Sequence, residues 1–170
     1  QAVFQVGTQQ RSMEMNRVAC EFVRNGGLGK VQYVSAMNYP GVGPTPAVDS
    51  YEQQPIPSGF HWELHLNQSP WRPYGSGATQ GRNYVGGEMT NWGAHGVDQI
   101  QWALGKDDTL PVRFQPITSG QNGKVTAWYD DGTEIRFELD KGPMGGAIFV
   151  GEQGKLEINR NKFMSNPIDI

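Results

Sequence analysis

Val125-Thr126-Ala127-Trp128-Tyr129-Asp130-Asp131-Gly132-Thr133-Glu134-Ile135-Arg136-Phe137-Glu138-Leu139 reads as two strands folded back on each other. Asp131-Gly132 lies between two β-rich runs, 125–130 and 133–140, and is a strong two-residue hairpin signal. In the second arm Ile135, Phe137 and Leu139 alternate with Glu134, Arg136 and Glu138. One sheet face is therefore packed, and the other is wet or pairs charge with charge.

Strand signals continue on both sides. Val112–Ser119 precedes the hairpin. Gly146–Val150 and Lys155–Asn159 form a second hairpin around Gly151–Gly154. The first half is mixed. Val3–Gly7 reads as a short strand. Met15, Val18, Ala19, Phe22 and Val23 keep helical spacing over 12–25, with Ser12 as N-cap and Gly26 just past the end. Val31–Tyr39 reads as a strand and 89–104 as a helix ending at Gly105. The layout is α+β: a mostly antiparallel open sheet with helices on one face.

The chain has 170 residues, enough for one domain with a real core. Its net charge is −3, with no long like-charge run, so nucleic acid is not an expected partner. No apolar run approaches a membrane span, and no signal peptide opens the chain. The single cysteine, Cys20, falls on the apolar side of the first helix. A disulfide within the chain is excluded, and a reducing, cytoplasmic setting is the default. Most of the 11 prolines fall within residues 40–86. This long loop-dominated excursion carries Phe60, Trp62, Trp71, Tyr74 and Tyr84, which disordered segments lack. It is expected to be ordered and draped over a site. No dinucleotide-binding Gly-x-Gly-x-x-Gly is present; Gly26-Gly27-Leu28-Gly29 follows a helix rather than a strand.

The densest candidate site lies in Gly86-Gly87-Glu88-Met89-Thr90-Asn91-Trp92-Gly93-Ala94-His95-Gly96-Val97-Asp98. Spacings of four and three put Asn91, His95 and Asp98 on one helix face. Met89, Trp92, Val97, Ile100 and Leu104 supply apolar surface elsewhere. The Gly86-Gly87 pair lets a chain or ligand approach closely. The alternative is a core histidine held by its neighbours. Thr8, Gln9 and Arg11 follow the first strand, where ligands of α/β folds sit. Arg11 suits a carboxylate or hydroxyl in its fork of donors, or a salt bridge to a helix.

Three segments together resemble a known family: Val6-Gly7-Thr8-Gln9-Gln10-Arg11-Ser12, Trp71-Arg72-Pro73-Tyr74, and Gly86 through His95 with Asp98. They are similar, in order and over nearly the whole chain, to the carboxyl-terminal domain of Gfo/Idh/MocA oxidoreductases. The resemblance implies a dihydrodipicolinate reductase-like α+β domain that covers the substrate. It implies a Rossmann domain before it, holding NAD or NADP and a catalytic lysine. Residues 1–7 are then the remnant of that domain's last strand, and 8–170 the substrate and oligomerisation domain. No cofactor is expected on this chain itself. A sugar or polyol is the implied substrate, and the sheet face the implied surface of a homo-oligomer.

The resemblance assigns roles by position. His95 matches the family's catalytic histidine, an imidazole able to take a hydroxyl proton. Asn91 stands where the family often has Asp; it can hydrogen-bond but carries no charge, so it supports a base less well. Gln9, Arg11, Trp71, Arg72 and Tyr74 are substrate-binding candidates, the aromatic rims suiting apolar sugar faces. Packing that anchors the excursion is the other reading of Trp62, Trp71, Arg72 and Tyr74. Asp98 reads as a helix-surface carboxylate or a cap partner. His61-Trp62-Glu63-Leu64-His65 does not have zincin spacing, and no metal site is expected. Two rival functions stay open at this point: a non-catalytic carbohydrate-binding or scaffold module, and a metal-dependent lyase or hydrolase using His61, His65 and His95.

Overall fold

The computed structural model describes residues 2–169. Its strands are β1 (Val31–Met37), β2 (Arg113–Pro116), β3 (Val125–Trp128), β4 (Glu134–Leu139), β5 (Ala147–Gly151), β6 (Lys155–Asn159) and β7 (Lys162–Asn166). The helices are α1 (Glu14–Arg24), the short α2 (Trp62–Leu66) and α3 (Trp92–Leu104). All seven strands join one sheet in the order β2-β3-β4-β1-β5-β6-β7. Only the β1–β4 pair is parallel. The sheet is thus mostly antiparallel, and α1 and α3 pack on each other and on one of its faces.

Alternation fixes which face is covered. Ala127, Ile135, Val34, Phe149 and Leu156 stand in register across β3, β4, β1, β5 and β6. All five are buried with Ala19, Cys20, Val23, Ile100 and Ala103 of the helices. The opposite row, Thr126, Arg136, Ser35, Ile148 and Glu157, is polar or mixed. There Glu134 accepts from Arg136 Nε at 2.7 Å, and Arg136 lies over the Tyr33 ring. Charge is satisfied by charge on that face, as the alternation in 134–139 requires.

The 125–139 hairpin forms, with a longer turn than two residues. Gly132 N donates to Tyr129 O at 3.1 Å, and Tyr129 N to Thr133 O at 3.0 Å. Asp130 and Asp131 take the corners, and Gly132 adopts φ +85°. Asp131 is held at its corner by Thr133 N at 3.0 Å and Lys106 Nζ at 2.6 Å. These bonds hold its carboxyl down at about 2, the one to Lys106 contributing most.

Other boundaries move for local reasons. Val3–Gly7 pairs with no strand; residues 2–8 are irregular, with Val3 and Phe4 almost wholly exposed. A strand exists only where a neighbour supplies its hydrogen bonds, and none does here. Ser12 ends a 3-10 turn (Gln9–Ser12), and Met13 takes the N-cap position of α1 without a side-chain cap. The third helix begins at Trp92, because Glu88–Asn91 close a turn first, with Gly93 N on Glu88 O at 2.9 Å. The strand β7, which has no alternation in the sequence to announce it, pairs with β6 at the sheet edge.

Cys20 is 1% exposed, and burial pushes its thiol up to about 12. A thiol reagent at pH 8 is expected to leave Cys20 unmodified in the folded chain and to react fully in denaturant; rapid modification of the folded chain would contradict this burial. The raised value also fixes a sign. Cys20 stabilises the fold fully below its ordinary value of 9.0, and this contribution is lost as pH rises from there towards about 12.

Candidate functional site

The third helix meets the sheet along residues without side chains. Gly93, Gly96, Gln99, Ile100 and Ala103 form its buried line. A Cβ on Gly96 would lie 2.6 Å from Tyr39 Oη, and one on Gly93 would lie 3.2 Å from the same ring. Tyr39 is buried and donates its hydroxyl to Met144 O. Burial pushes its phenol up to about 12, so it remains a donor at neutral pH. With that line inward, His95 points outward and is partly exposed, its ring edge-on to Trp92 at 6.0 Å. Asn91, exposed at the N-cap position one turn earlier, caps nothing with its side chain. His95 is therefore not a core histidine. The Gly86-Gly87 pair serves the chain itself: Gly87, at φ +71°, lies against Pro40–Val42, and Gly86 against Thr90.

Asp98, the third residue of the line, is engaged elsewhere. Arg11 Nε and Nη2 donate to its carboxylate at 3.0 and 2.8 Å. Nη2 also reaches Asp107 Oδ1 at 2.6 Å, while Arg24 reaches Asp107 Oδ2 at 3.0 Å. Arg11 is held well above the usual guanidinium range, chiefly by its hydrogen bond to Asp98. Asp107 is lowered although its burial pushes the other way, because Arg11 and Arg24 outweigh that effect. Of the two readings of Arg11, the structure displays the salt bridge: it clamps the 3-10 turn to α3. Gln9, in the same turn, is exposed.

Next to that turn lies a polar chain that the sequence did not single out. Asn16 Nδ2 donates to Gln10 Oε1 at 3.0 Å, and Asn161 N donates to Asn16 Oδ1 at 2.7 Å. This fixes the β6–β7 turn, where Asn161 takes φ +49°. The same turn carries Arg160, whose guanidinium lies 5.0 Å over the Trp92 ring. Its stem packs on Gly145, where a Cβ would sit 2.7 Å from Arg160 Cγ. Gln10 was visible within the quoted 6–12 segment; Arg160 had no motif to announce it.

The excursion is ordered around its own small core of Trp62, Leu66 and Ala78. Arg72, expected at a rim, is 3% exposed. It donates to Tyr51 Oη at 3.1 Å and Pro46 O at 2.9 Å, between the rings of Tyr51 and Tyr84. Trp62 Nε1 and Tyr51 Oη donate to the carbonyls of Arg72 and Pro73. A guanidinium has five donors, and here they gather loops whose carbonyls lack secondary-structure partners. Tyr74 packs on Trp62 at 5.2 Å and on Phe60 at 5.8 Å, and His65 stacks on Trp62 at 5.3 Å. Trp71 is 67% exposed. None of the hydrogen bonds or ring contacts of Arg72 and Tyr74 reaches α3. Among the described residues no three His, Cys, Asp or Glu side chains gather as a cation site, and no helix is long and apolar enough to cross a membrane.

The family model for the oxidoreductase C-terminal alpha/beta domain matches residues 45–167, from the excursion to the last strand. The chain belongs to the Gfo/Idh/MocA oxidoreductase family. No curated protein matches it. Members of the family use NAD(P), and the glycine-rich turn at residues 26–29 does not fit its pyrophosphate. Leu28, in that turn, is fully buried, and its carbonyl accepts from Gln153 N at 3.1 Å. Gly29 lies against Glu152, so this turn packs on the β5–β6 hairpin instead of cradling an anion.

The Arg11–Asp98 clamp is partly screened, its side chains being 34% and 20% exposed. A double-mutant cycle of Arg11→Met and Asp98→Asn is expected to give a coupling of about 1 kcal/mol, smaller at high salt. A coupling near zero in denaturant titrations would show that the pair does not hold α3.

Proposed function

We propose that this chain is the substrate-side domain of an NAD(P)-dependent oxidoreductase acting on a sugar, polyol or related hydroxy compound. His95 carries the reading. It stands within the family match, on the outward line of α3, partly open to solvent and bound to no neighbouring acceptor. A hydroxyl that becomes a carbonyl must lose its proton, and an imidazole so placed takes it; in the reverse direction it returns it. Asn91, one turn away, offers an amide to the same substrate oxygen without adding charge. Trp71 and Gln9 are exposed enough to touch substrate. Arg11, Arg72 and Tyr74 serve by holding the walls: Arg11 fixes α3, and Arg72 and Tyr74 fix the excursion.

The cofactor belongs, in this reading, to a Rossmann domain; the packing of the 26–29 turn on the β5–β6 hairpin supports this. The sheet face away from the helices is the proposed surface for a second copy of the chain. Its Arg136–Tyr33 and Arg113–Trp128 pairs, with exposed Met164 at the opposite edge on β7, offer flat amphipathic area.

In the holoenzyme His95→Asn is expected to lower kcat by about 10²- to 10⁴-fold while KM changes little. Steady-state kinetics over a panel of sugars and polyols is the test. An unchanged kcat would remove His95 from the chemistry and with it this reading.

A further inference from the structure

Of the eight arginines in this domain, five hold an acceptor with their side chains and three, Arg82, Arg113 and Arg160, do not among the described residues. Arg11, Arg17, Arg24 and Arg136 each hold a carboxylate. Arg72 spends its donors on a carbonyl and a phenol inside the excursion. Arg113 stacks on Trp128 at the sheet edge, and both Arg113 and Arg82 are exposed. Arg160 makes no ion pair and no side-chain hydrogen bond among the described residues, yet it is partly buried rather than extended into solvent.

Its position is built. The turn that carries it is tied to α1 through Asn161 N and the fully buried Asn16, and Asn16 is tied in turn to Gln10. Arg160 N donates to Asn159 Oδ1 at 2.8 Å, which closes the turn from the other side. The stem runs along Gly145, a position where any side chain would displace it. The head lies over Trp92, and the other neighbour of that indole is His95. A guanidinium fixed in this way, with its in-plane donors unspent, is pre-organised for a planar anion. The stacking on Trp92 uses the face of the guanidinium and leaves its edge free.

We propose that Arg160 binds a carboxylate of the substrate, so that the compound handled at His95 is a polyhydroxy acid rather than a neutral sugar. This rests on the reading of His95 as the site's acid/base residue. The acid end of the ligand lies on Arg160, the Trp92 indole walls its middle, and a hydroxyl faces the imidazole. Gln10, held by Asn16, is a positioning residue for the turn and touches no ligand.

The test uses matched probes. D-gluconate and D-glucitol, and D-glucuronate and D-glucose, differ in a carboxylate against a neutral end. Each is titrated into the 15N-labelled chain while the His95 and Trp92 side-chain resonances are followed, for wild type, Arg160→Gln and Arg160→Lys. The expected result is that at least one acid moves both resonances and binds about tenfold or more tightly than its neutral partner. Arg160→Gln abolishes that preference and leaves the neutral affinity unchanged. Arg160→Lys, which keeps the charge without the fork, retains part of it. Acids and neutral compounds binding alike to wild type would overturn the proposal and leave the His95 reading standing. So would an acid preference that survives in Arg160→Gln. If none of the four moves His95 or Trp92, the site reading itself fails and the proposal falls with it. Should Arg160→Gln not fold, the wild-type preference and the Arg160→Lys titration decide.

Discussion

The close approach of α3 to the sheet is the constraint on which the rest depends. A helix rests this near a strand only where the facing positions carry no side chain, and here they are Gly93 and Gly96, with Gly146 opposite. Tyr39 fills the remaining space and is locked by its bond to Met144 O. Once this line faces inward, helical geometry leaves no freedom for the others. Asn91 and His95 face outward at the start of the helix, and Asp98 faces the turn that carries Arg11. The domain therefore sets its candidate acid/base residue by backbone contact, and no charged group holds the imidazole itself.

Cations are used to fix loops. Arg11 joins the turn before α1 to α3, and Arg24 shares Asp107 with it. Arg72 gathers an excursion rich in proline, whose carbonyls no helix or strand satisfies. In both cases a rigid fork with several donors replaces regular secondary structure. The result is a 3-10 turn held stiffly against α3 and an excursion held stiffly on itself.

Much of this was legible in the sequence. Strict alternation in 133–139 announced a sheet with one polar face, and the 3.6-residue period over 12–25 announced a helix. The spacing of Asn91, His95 and Asp98 placed them on one face, although Asn91 stands at the N-cap position, just before the helix, instead of within it. What stayed hidden was non-local. The aromatic-rich context of Arg72 suggests a sugar rim as readily as a buried organiser, and only the partners Pro46 and Tyr51 decide. The strand β7 (Lys162–Asn166) is too mixed to alternate clearly and exists because β6 offers it an edge. Val3–Gly7 shows the converse, an apolar run with strand composition and no partner. Arg160 has no local signature, since its meaning comes from Gly145, Asn16 and Trp92.

Unfolding of Gly96→Ala in denaturant tests the central constraint most directly. In the interior of an ordinary helix this change stabilises by about 1 kcal/mol, because alanine is the better helix former. Here the new methyl meets the fixed Tyr39 hydroxyl at 2.6 Å. The expected result is a loss of about 2 kcal/mol or more, together with a changed environment for the His95 ring. A gain in stability would show that α3 does not rest on the sheet through its glycines, and the placement of His95 would lose its cause.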